Sequence, residues 1–72
     1  MSNPKTEQIL LARRQIKRLE TMHRTLTEMG GCWDGLDCGM ESDLESLAAR
    51  VELQIKINSE MIEEWRHEKH PA

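Results

Sequence analysis

Cys32 and Cys38 have five residues between them in a glycine-rich stretch, Gly-Gly-Cys-Trp-Asp-Gly-Leu-Asp-Cys-Gly. Two thiols at this spacing could hold a metal, close a small disulfide loop or remain free. Structural zinc sites favour two to four intervening residues and need two further ligands nearby. The histidines that could serve, His67 and His70, belong to the far end of the chain. Asp34 and Asp37 lie between the thiols, and their charge opposes the thiolate that a nucleophilic cysteine requires. Free thiols are therefore expected, and no metal or cofactor.

Glu64 and His67 repeat the Glu-x-x-His spacing of di-metal carboxylate bundles. Glu60 lies one turn earlier, and Glu7 would be level with Glu64 on a neighbouring helix. The spacing is common by chance and falls near a helix end, so a solvated terminus is the expectation. Arg13, Arg14, Lys17 and Arg18 form a basic cluster that could follow a phosphate backbone. No aromatic side chain interleaves with it to stack on bases. No Ser–His–Asp set, phosphate loop or carboxylate pair in an apolar setting is present, and the chain is expected not to be an enzyme.

These residues need helices to position them. Asn3-Pro4 is a helix start, with an Asn cap and proline at the first helical position. Ile9, Ala12, Ile16, Leu19, His23 and Leu26 then recur at alternating spacings of three and four, and Leu11, Met22 and Met29 widen the stripe. Gly30-Gly31 reads as a helix stop, since glycine takes the left-handed conformation readily. A second helix is expected from Ser42, which has capping-box spacing to Glu45. Its seam is Leu44, Ala48, Val51, Ile55, Asn58, Ile62 and Trp65. Val51 to Ile57 alternates as a strand would, but the flanking residues keep the helical period. The expectation is one all-α domain over residues 1–72: an antiparallel two-helix hairpin with helices over about 4–29 and 42–69 and a loop over 30–41.

Seventy-two residues give a marginal core when there is no metal, disulfide or second chain. The back of the second helix carries Leu53 and Ile57, with Glu60 and Glu64 beyond them. Burying each apolar side chain there is worth roughly 1.5–3 kcal/mol, against about 5 kcal/mol for so small a domain alone. A homodimer through this face, forming a four-helix bundle, is the expected assembly. His23 and Asn58 are polar positions on the seams, and Asn58 is expected to fix register.

Charge is uneven. Residues 1–30 carry six Lys/Arg and three Asp/Glu, whereas residues 31–72 carry four and ten. No apolar run approaches the ~20 residues of a membrane span, and the first residues lack the apolar core of a secretion signal. A cytoplasmic location with no membrane association is expected. Trp33 and Leu36 are the large apolar residues of the loop, flanked by Asp34 and Asp37. Exposed tryptophan is a frequent binding anchor, and acidic neighbours would steer a basic partner. The expected function is protein binding through this loop, as a regulator, adaptor or inhibitor. The alternative is nucleic-acid binding through Arg13, Arg14, Lys17 and Arg18, and a metal-binding bundle ranks third.

Overall fold

The computed structural model describes residues 4–67. Two long helices account for nearly all of them: α1 (Pro4–Gly31) and α2 (Cys38–His67). They pack along each other as a hairpin, with principal extents of 60 × 16 × 10 Å. Among the described residues there is no strand, and the alternating run Val51 to Ile57 is helical. Neither helix is long and apolar enough to cross a membrane. Pro4 opens α1 as expected; Asn3 and residues 68–72, including His70, lie outside the described residues.

Both seams are where the apolar period puts them. Ile9, Ala12, Ile16, Leu19, His23 and Leu26 on α1 are buried or half-buried. So are Leu44, Ala48, Val51, Ile55, Asn58, Ile62 and Trp65 on α2. The core is thin all the same. Among the described residues, only Ala12 (7% exposed), Ala48 (5%) and Ile62 (7%) are buried apolar side chains, and no large side chain is fully enclosed. Two helices have one mutual contact line, so each seam residue keeps an open flank.

The connection departs from expectation. Gly30 and Gly31 do not end α1 in a left-handed turn; the one positive φ among the described residues is at Gly35, at 78°. Gly30 falls four residues after Leu26 and so stands on the seam. It is buried, and a Cβ placed on it would lie 3.5 Å from the Leu44 Cβ. Two glycines cost a helix about 1 kcal/mol each in propensity. Here the close approach of α2 at Gly30 opposes that cost. The helix then tightens: the Cys32 amide donates to both Glu28 and Met29 carbonyls at 3.2 Å, and the Trp33 amide donates to Gly30 at 3.0 Å. Such three-residue bonds satisfy carbonyls left over at a helix end.

The loop is correspondingly short, and α2 starts four residues before Ser42. Asp37 supplies the cap. Its Oδ1 accepts from the amides of Gly39 at 2.9 Å and Met40 at 3.1 Å, while its carbonyl accepts from Glu41 at 3.1 Å. These are the bonds of an N-cap carboxylate, and aspartate serves there as well as serine. The Ser42–Glu45 pair lies inside the helix, where no amide is left for it to cap.

Candidate interaction surfaces

The loop is held from within. Trp33 carbonyl accepts from Leu36 at 2.8 Å and from Asp37 at 3.0 Å, and Asp34 donates to Gly31 at 3.2 Å. Gly35 supplies the reversal that these bonds require. Trp33 is half-buried, so part of its ring is covered and part faces outward. Leu36 is 77% exposed, the most exposed large apolar residue among those described. Asp34 is exposed. Asp37 has one carboxylate oxygen committed to capping, a structural duty that its sequence position did not suggest. Cys32 and Cys38 are free and exposed.

The basic cluster reaches two surfaces. Arg13, Arg14 and Lys17 share an outer surface of α1 with Leu10. Arg18 lines a lateral groove with Gln15, Leu19, Met22, Gln54 and Asn58. The four charges share one side of α1, with Arg14 and Arg18 one turn apart, and Arg18 stands at the edge of that side beside the groove. On α2, Leu53 is 56% and Ile57 41% exposed, and Glu60 and Glu64 are exposed beside them.

His67 turns to Glu63 rather than Glu64. Its Nε2 lies 3.1 Å from Glu63 Oε2, and Arg66 donates to Glu63 Oε1 at 3.2 Å. Among the described residues no three His, Cys, Asp or Glu side chains converge as a metal site would require. Between the helices, His23 Nε2 lies 3.4 Å from Glu52 Oε2, an exposed pair. Exposed pairs of this kind contribute about 1 kcal/mol at most. Asn58 accepts a hydrogen bond from Gln54 Nε2 at 2.7 Å, one turn back on the same helix.

A further surface emerges only in the folded hairpin. Leu11, Ala12 and Gln15 of α1 line a groove with Asn58, Met61 and Trp65 of α2. Met22, Thr25 and Leu26 line another with Val51 on the same side. Met61, Gln15 and Gln54 held no place in the seam reading, although the recurrence of Leu47, Val51, Gln54, Asn58, Met61 and Trp65 at spacings of four and three was available to find them. Compared with models of protein families, with curated proteins and with solved structures, the chain has no significant match.

Proposed function

We propose that this chain is a small non-enzymatic protein-binding module, a regulator, adaptor or inhibitor, that works as a helical homodimer. The observation that carries the reading is the loop: a tight, internally hydrogen-bonded turn holding Leu36 out at 77% exposure beside the half-buried Trp33. A preorganised loop loses little conformational entropy on binding, so an apolar anchor held on it is effective. Asp34 adds negative charge that favours a basic partner surface. The open, shallow grooves of the hairpin suit contact with a macromolecule better than enclosure of a small substrate. Free, exposed thiols suit a reducing compartment, which is why we place the protein in the cytoplasm.

The test is affinity capture from the native host by wild type and by Trp33→Ala, with helicity and assembly checked alongside. Trp33→Ala should weaken capture by about 2 kcal/mol or more, the loss typical of a hot-spot residue, while the helices persist. Capture that is unchanged by Trp33→Ala and by Leu36→Asp refutes the loop as the binding surface.

A second reading is nucleic-acid binding, favoured by the shared outer surface of Arg13, Arg14 and Lys17. It predicts affinity that falls steeply with salt as counterions are released. Reversing those charges together with Arg18 would abolish binding in that case and leave protein capture nearly intact in ours.

A further inference from the structure

The two broad faces of the hairpin differ in charge. One is lined by His23, Thr27, Glu41, Glu45 and Glu52, and helical spacing continues it along α2 through Lys56 and Glu63. The other is nearly neutral. Its row on α1 is Leu11, Gln15, Arg18, Met22, Thr25 and Met29; its row on α2 is Leu47, Val51, Gln54, Asn58, Met61 and Trp65. Both rows advance by four and three residues, and Arg18 is the one charged side chain in them. Leu11, Met22, Met29 and Leu47 are all about half exposed.

The order of residues in these rows says what fits against them. On α1, Leu11 and Met22 flank the polar pair Gln15 and Arg18. On α2, Leu47 and Met61 stand seven residues before and after Gln54. The two polar midpoints are at the same height, because Gln15, Arg18 and Gln54 line one groove. Leu11 and Met22 on α1, and Leu47 and Met61 on α2, therefore stand as apolar pairs about polar residues at a common level, while Val51 and Asn58 between them on α2 do not mirror each other. An isologous two-fold contact brings residue i to residue j and j to i, so these mirrored apolar pairs would match like with like.

We propose that a second copy of this chain covers the neutral face. The two-fold axis crosses the helices at the level of Gln15 and Gln54, and the loops lie at opposite ends of a four-helix bundle. In that arrangement Leu11 of one copy meets Met22 of the other, and Leu47 meets Met61. Arg18 comes to Gln15 of the other copy, whose side-chain oxygen accepts a hydrogen bond. Glu41, Glu45 and Glu52 line the far face, so these carboxylates do not oppose one another across the contact, and Glu7 and Asp43 stand at its ends, one turn before Leu11 and Leu47. The bundle also closes the open flank of seams that enclose no large side chain in the hairpin alone. The proposal rests on the homodimeric module described above and specifies its interface. It favours the neutral face over the back of α2, where Leu53 and Ile57 are the large apolar residues at the centre and Glu60 and Glu64 follow.

Sedimentation equilibrium and a label-to-label distance test it together. Wild type should be a dimer at micromolar concentration. Leu11→Glu with Leu47→Glu should dissociate it, whereas Leu53→Glu with Ile57→Glu should leave it dimeric. With Cys38→Ser and a nitroxide on Cys32, the distance between the two labels should be roughly 45 Å, from ~1.5 Å of rise per residue on each side of the axis. That distance is measured with the neutral face intact, so it tests the antiparallel two-fold arrangement even if the charged variants fail to fold, and the paired variants distinguish the faces. A folded wild-type monomer overturns the proposal, as does a distance about half that expected. Dissociation by the Leu53 and Ile57 changes alone overturns this interface but preserves the homodimer. Loss of Trp33-dependent capture would instead remove the partner-binding reading and leave the dimer standing.

Discussion

Gly30→Ala should stabilise the protein, against the usual expectation for a glycine at the end of a helical stretch. Gly30 lies within α1 and lacks a positive φ, so alanine meets no backbone strain. The added Cβ would lie 3.5 Å from Leu44 Cβ and 3.8 Å from the Glu41 carbonyl oxygen, both ordinary contact distances. Alanine is favoured over glycine in a helix by about 1 kcal/mol, partly because the unfolded chain loses freedom. A newly buried methyl adds up to about 0.8 kcal/mol, less whatever the helices give up to seat it. The net expectation is a gain of about 1 kcal/mol, or roughly 4–8 °C in melting temperature for a domain of this size. Urea unfolding followed by circular dichroism, at one fixed protein concentration, would measure it, since assembly shifts apparent stability. Gly31→Ala should give a smaller gain, as its Cβ meets nothing within 4 Å and the site is at the last residue of α1. Gly35→Ala should lose about 1–2 kcal/mol, because its φ of 78° is left-handed. The pattern is therefore gain, gain, loss. A loss of 1 kcal/mol or more at Gly30 would refute the continuous helix and return the stop to the Gly30-Gly31 pair.

Asp37→Ala should cost about 1 kcal/mol by removing the cap of α2, while Ser42→Ala should be close to neutral; urea midpoints compare the two, and an equal cost at Ser42 would move the cap. Asn58→Leu should raise the melting temperature and admit additional oligomers on a sizing column, because its hydrogen bond to Gln54 is exposed and its polar group sits at a seam. Lower stability with a single clean species would mean that Asn58 serves a specific partner group.

Periodicity alone determined a great deal about this protein. Every residue on the two contact lines is at least half-buried, because a helix repeats its contact line every three to four residues whatever it packs against, whereas Leu11, Met22 and Met29, expected to widen the first seam, are exposed because a single partner helix does not reach them. Pro4 marks the start of α1 for an equally local reason: its fixed φ suits the first turn. The connection was less legible. Gly30, Gly31, Asp37 and Ser42 are all plausible terminators, and local preference cannot rank them. The close approach of Leu44 to Gly30 and the amides available to Asp37 settled where the helices end.

The candidate surfaces divide in the same way. Trp33 and Leu36 stood out in sequence as apolar residues among loop formers, yet only the folded turn made Leu36 the more exposed of the two. Arg18 belongs to the basic cluster by position in the chain, but its place on the helix turns it into the lateral groove with Gln54. The neutral face was the least readable feature. Each of its rows has a visible period, but a row becomes half of a surface only when the rotation of each helix about its own axis is known. That rotation is set by packing between helices, at the small residues Ala12, Gly30 and Ala48. Sequence determined which residues face the partner helix, and tertiary structure alone decided which flanks of the two helices share a side.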